Sequence, residues 1–142
     1  MSMNIVVCVK QVPDTAVERT LKPGAGTLDR ESPDGLINEL DEYAIEEGLK
    51  IAEAHGGEVT ILTVGPAKAA ESIRKALSMG ADKAIHICDE ALAGSDALAT
   101  SLVLAEALKQ GGQYGVTRLY RGDPPAPESV WLRGENWCLA YG

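Results

Sequence analysis

Three short stretches of this chain are apolar at nearly every position, and three longer ones are apolar at every third or fourth. The short stretches are Asn4 to Val9, Glu58 to Val64 and Lys83 to Cys88, all rich in β-branched residues. Continuous apolarity over strand length predicts strands covered on both faces. The first long stretch, Glu39 to His55, puts Leu40, Ala44, Ile45, Leu49 and Ala52 on one helical face. Asn38 stands where a cap is needed, Glu39, Asp41 and Glu42 lie in the first turn, and Gly56-Gly57 ends the helix. The second, Ala67 to Met79, follows Pro66 and precedes Gly80, with Ala70, Ile73 and Leu77 facing inward. The third, Ser95 to Gln110, places Leu98, Leu102 and Ala105 on one face and stops at Gly111-Gly112. Val116 to Tyr120 fits a fourth strand.

Strand and helix alternate, which predicts an α/β fold with parallel strands joined by right-handed helical crossovers. One connection is long. Lys10 to Ile37 carries Pro13, Pro23, Gly24, Gly26, Pro33 and Gly35. A long loop after the first strand of an open α/β sheet lies at the carboxyl edge, where ligands bind. Residues 1–111 form the α/β nucleotide-binding-type domain in this reading. Residues 112–142 form a tail of different texture, with one further strand and then no clear period. The tail has no Lys, balances three Arg against three acids, and holds both tryptophans and three of the prolines. The switch at Gly112 is what a shifted reading frame or an unrelated end would produce.

Composition narrows the function classes. Of 142 residues, 13 are Lys or Arg and 21 Asp or Glu, a net charge of −8. Long-range repulsion then opposes nucleic acid and anionic membrane surfaces as partners. Aromatics make up 4% and Phe is absent, so the core must be aliphatic. Cys8, Cys88 and Cys138 lie far apart with no CxxC, which points to a reduced, cytoplasmic setting. The apolar stretch from Ala97 to Leu108 is too short for a membrane span and is interrupted by Thr100, Ser101 and Glu106. No membrane insertion is expected, and the N-terminus shows no signal-peptide pattern.

Candidate chemistry is sparse. No phosphate loop of the G-x-x-x-x-G-K-[ST] type occurs, and Gly24-Ala25-Gly26 reads as a plain turn. The turn Val64-Gly65-Pro66-Ala67 joins a buried strand to a helix start, where bare backbone and unpaired N–H groups can meet a ligand or simply make a tight βα turn. Asn38 and Asp41 can cap their helix, touch a nucleotide's polar edge, or do both. His55 at a helix end and His86 within a strand lack partners at metal spacing and read as structural. Cys8 between Val7 and Val9 reads as a small buried hydrophobe rather than a nucleophile. The acids Glu39, Asp41, Glu42, Glu46 and Glu47 read as a solvated helix face. No Ser/His/Asp or Cys/His set appears, so the expectation is a protein that is not an enzyme.

Four segments together resemble the electron transfer flavoprotein beta subunit. They are Val-Cys-Val-Lys-Gln-Val-Pro-Asp (7–14), Ile-Asn-Glu-Leu-Asp-Glu-Tyr-Ala-Ile-Glu-Glu (37–47), Thr-Val-Gly-Pro-Ala (63–67) and Arg-Lys-Ala-Leu-Ser-Met-Gly-Ala-Asp-Lys-Ala (74–84). Their order and spacing match over about residues 3–110. The resemblance implies a three-layer α/β/α, mainly parallel sheet of the adenine-nucleotide-binding type. It implies pairing with an alpha subunit and one FAD held mainly by that partner. Electrons then pass from flavin dehydrogenases, such as acyl-CoA dehydrogenases, to a membrane quinone reductase. It also implies a structural AMP. Carried over by position, the AMP pocket uses Cys8, Val9, Asn38, Asp41, Val64 and Gly65, while the loop at Asp14 and Thr15 approaches the flavin. Family members run well beyond this length, and from Gly112 onward the chain departs from them. The alternative is a stand-alone adenine-nucleotide-binding regulatory module of the universal-stress type, which should carry a Gly-rich phosphate loop late in the chain.

Overall fold

The computed structural model describes residues 3–31, 34–110, 115–116, 131–134 and 137–140. In chain order the elements are β1 (Met3–Cys8), β2 (Gln11–Pro13), β3 (Gly35–Ile37), α1 (Glu39–His55), β4 (Gly57–Val64), α2 (Ala70–Ser78), β5 (Lys83–Ile87), α3 (Ala97–Gln110), β6 (Gly115–Val116), β7 (Trp131–Gly134) and β8 (Trp137–Ala140). Short 3₁₀ turns, Ala67–Ala69 and Glu90–Leu92, precede α2 and α3.

The main sheet has the order β5-β4-β1-β6, and every pairing in it is parallel. Its strands alternate cleanly between two apolar faces. Ile5, Val7 and Val9 of the first strand and its exit join Val59 and Ile61 of β4 on one face, under Ile45 of α1 and Ala76 of α2. Val6 and Leu62 point the other way and meet Leu104 of α3. Burial on both faces is the reason these strands are apolar at successive positions rather than at alternate ones. The result is a three-layer α/β/α sandwich. Its chain order reverses between β1 and β6, and in doubly wound sheets the ligand crevice opens at such a reversal, outside the carboxyl ends of the strands.

Element types follow the sequence pattern; side-chain orientation departs from it in several places. Leu40 in α1 is 67% exposed, and Gly48 instead takes the contact with the sheet. A Cβ on Gly48 would lie 2.9 Å from Val7 Cγ2, so the glycine is what lets α1 pack closely. In α3, Leu98 and Leu102 are 62% and 66% exposed, while Ser101 and Leu104 are buried at 8% and 9%. The buried face, set by the packing of Leu104 on Val6 and Leu62, is rotated from the expected one, and Ser101 tolerates burial because its hydroxyl donates to Leu98 O at 2.7 Å. In α2, Leu77 lies at the margin and Ser72, Ile73 and Ala76 are the buried positions.

The long loop is not structureless. β2 and β3 pair antiparallel, Gln11 with Ile37 and Pro13 with Gly35, and a further bridge joins Leu21 to Leu28. Three-residue strands are too short for a hydrophobic period to register. The same holds for β7 and β8, which pair antiparallel where no period stands out. Of the expected strand from Val116 to Tyr120, only Val116 falls in β6; residues 117–120 lie outside the described residues.

Candidate functional site

Three chain reversals meet along the carboxyl rim of the sheet. The first is the exit of β1. Cys8 is level with Leu62 in the parallel register, and Val9 N donates to Leu62 O at 2.9 Å. The second is the start of α1. Lys10 N donates to Asp41 Oδ2 at 2.8 Å, and Asn38 N donates back to Lys10 O at 3.1 Å. The third is the exit of β4 at Val64 and Gly65, where Gly65 N donates to Ile87 O at 3.0 Å. Cys8 and Val64 both lean onto the α3 side of the sheet, against the Val6–Leu62–Leu104 cluster.

Asn38 occupies the N-cap position of α1 but makes no side-chain cap. Its amide donates to Asp41 Oδ1 at 3.0 Å instead. With both oxygens of Asp41 engaged, by Asn38 and by the Lys10 backbone, the carboxylate acts as a staple between β1 and α1. Only the acceptor oxygen and second N–H of Asn38 stay outside this staple. The first turn of α1 also carries Glu39, Asp41 and Glu42, which suit the helix dipole and oppose an incoming anion at that end.

Gly65 has an ordinary negative φ, so its lack of a side chain matters for space rather than for handedness. A Cβ there would come 3.2 Å from Ala69 Cβ, tight against the turn that starts α2. Thr15 lies apart from the rim. It is exposed in the turn after β2, where Ala16 N donates to Asp14 Oδ1 at 2.8 Å. The hairpin is nonetheless tied to the rim: Gln11 Nε2 donates to Lys68 O at 3.1 Å, across the start of α2. Periodicity carries no sign of this tie; it is a contact between residues 57 apart in sequence.

A groove of about 520 Å³ lies between β5 and the C-terminal half of α3, lined by Ile85, Ile87, Val103, Glu106, Ala107 and Gln110. Its two polar residues bond each other, Gln110 Nε2 to Glu106 Oε1 at 3.1 Å. An apolar cleft with no converging polar groups suits a nucleotide less well than the rim does. Among the described residues no His/Cys/Asp/Glu group is arranged to hold a metal, and no helix is long and apolar enough to cross a membrane.

Residues 25–117 match the family described as the electron transfer flavoprotein domain. The chain is 54% identical over 110 residues to the electron transfer flavoprotein subunit beta of Mycobacterium tuberculosis, covering 74% of this chain and 41% of that protein. It is 50% identical over 114 residues to protein FixA of Sinorhizobium fredii, covering 80% and 40%, and 45% identical over 118 residues to protein FixA of Bradyrhizobium diazoefficiens, covering 82% and 41%. The chain thus spans about two-fifths of the length of these relatives. The matched region takes in β3, α1, β4, α2, β5, α3 and β6, which includes every strand of the main sheet except β1, and on that ground the chain belongs to the electron transfer flavoprotein family, with its resemblance to the beta subunit extending over the N-terminal three-quarters of its length.

Proposed function

We propose that this chain is a beta-type electron transfer flavoprotein polypeptide that seats the adenosine part of AMP on its carboxyl rim and works in the cytoplasm beside an alpha subunit carrying FAD. Through that complex it would serve flavin dehydrogenases as donors and a quinone reductase as acceptor. One observation supports the seat above others: Cys8 and Val9, Asn38 and Asp41, and Val64 and Gly65 lie at neighbouring ends of β1, α1 and β4. The donor set suits adenosine. Backbone at two strand ends can meet the edge of a base, Asn38 offers both an acceptor and a donor, and Gly65 leaves the turn without a side chain. The seat is assigned to residues 1–111. Thr15, exposed beyond β2, can offer only an edge contact to a flavin held by another chain. FAD carries the redox chemistry when bound, and the chain contributes position and surroundings.

Co-expression with an alpha subunit tests the reading. A flavin absorbance band in the co-purified pair and none in the lone chain is expected. Stoichiometric AMP binding by calorimetry should come with it. Stoichiometric ATP in the lone chain, with no flavin in the pair, would overturn the reading in favour of a regulatory module. Gly65→Leu should weaken AMP binding at least tenfold, since its side chain must displace the α2 start or enter the seat.

A further inference from the structure

Gly65 is held from both sides by β5. Its N–H donates to Ile87 O at 3.0 Å, and its carbonyl lies 3.0 Å from His86 Nε2. A carbonyl oxygen only accepts, so Nε2 of His86 must carry the proton. The two contacts act on different peptide planes. Ile87 O fixes the Val64–Gly65 peptide, and the imidazole fixes the Gly65–Pro66 peptide. Glycine has the widest choice of backbone conformations, so a glycine turn keeps one orientation only if something outside it holds both planes. Pro66 cannot share this work, because it has no N–H. Immediately downstream, Ala69 N donates to Pro66 O at 2.9 Å and opens the 3₁₀ turn that leads into α2.

We infer that His86 is a positioning residue: through its Nε2–H bond to the Gly65 carbonyl it sets the orientation of the Gly65–Pro66 peptide at the carboxyl rim and the direction in which α2 leaves it. Its place in the strand supports this. Ile85 and Ile87 pack on the α3 side of the sheet, so His86 between them projects to the α2 side, where the Gly65 turn runs. The ring is half-buried, with Nε2 directed at the Gly65 carbonyl. The link to AMP rests on the function proposed above; the clamp on Gly65 does not.

The test uses the whole chain, ¹⁵N-labelled. In the wild type, long-range nitrogen–proton spectra should show the tautomer of His86 protonated at Nε2. His86→Gln, whose amide nitrogen stands the same number of bonds from the backbone, should keep the Gly65 amide shift and an AMP affinity within about twofold. His86→Leu should move the amides of Gly65 and Ala67 to Ala69 and weaken AMP binding about tenfold, roughly the loss of one part-buried hydrogen bond. A wild-type ring protonated only at Nδ1 would overturn the inference without any variant. So would a folded His86→Leu with the Gly65 amide unmoved, or a His86→Gln no better than Leu at equal Tm. If the wild type takes no AMP, the nucleotide seat falls, and the clamp is judged on the tautomer and the Gly65 amide alone.

Discussion

Replacing Asp41 with alanine removes a carboxylate that joins the exit of β1 to the start of α1. Oδ2 loses the Lys10 N–H, and Oδ1 loses the Asn38 amide. A hydrogen bond to an ionised acceptor is worth roughly 1.5–3 kcal/mol, and the solvent-facing position of this one takes the low end. The Asn38 amide can turn to water, so its share is about 0.5 kcal/mol. A first-turn carboxylate adds about 0.6 kcal/mol through the helix dipole. Against these, alanine is the better helix former by about 0.6 kcal/mol. The balance is a destabilisation of about 2 kcal/mol, or a fall in Tm of about 6 °C for a chain of this length. Asp41→Asn keeps one acceptor and should lose about half as much. Urea unfolding followed by circular dichroism, with the slope unchanged, is the measurement. An Asp41→Ala midpoint equal to that of the wild type would show that the staple bears no load and that the rim is held elsewhere.

Gly48→Ala should destabilise by about 1 kcal/mol despite its better helix propensity, because the added methyl meets Val7 at 2.9 Å inside a closed core; a gain in Tm would refute the tight packing of α1. Leu98→Gln and Leu102→Gln should each change stability by less than about 0.5 kcal/mol, whereas Leu104→Ala should cost about 2–3 kcal/mol; equal costs across the three would place the buried face of α3 elsewhere. The Lys50 ammonium is raised above its ordinary range, first by hydrogen bonds to Glu46 and Glu47 and then by their charges. Its small contribution is therefore present below the ordinary lysine range and fades as pH rises through the raised value. Nitrogen-detected titration should show Lys50 returning toward the ordinary value in Glu46→Gln/Glu47→Gln, and an unmoved titration would deny the pairing.

Much of the local structure is legible in residue order. The β-branched runs become β1 and β4 because strands buried on two faces need apolar side chains at successive positions, while β5, at the sheet edge, is only partly buried. α1 spans Glu39–His55 as the periodic stretch predicts, and Gly56, at φ +71°, supplies the left-handed residue that ends it. Even the candidate site could be approached this way. Strand ends, a polar helix start and a glycine turn are chemical features of short segments, and parallel topology sends such segments to one edge.

What residue order could not decide is which atoms meet across long separations. Leu98 and Leu102 are as apolar as Leu104, yet only the turn of α3 against Val6 and Leu62 selects the one that is buried. Asn38 looks like a cap; it becomes a donor because Asp41 is already fixed by the Lys10 backbone from another element. His86 and Gly65 are 21 residues apart and come together because β5 lies beside β4. Local chemistry depends on neighbours within a turn or two, and the chain writes those directly. Register, helix rotation and the pairing of rim groups depend on the closing of the sheet, which every element shares and no single segment encodes.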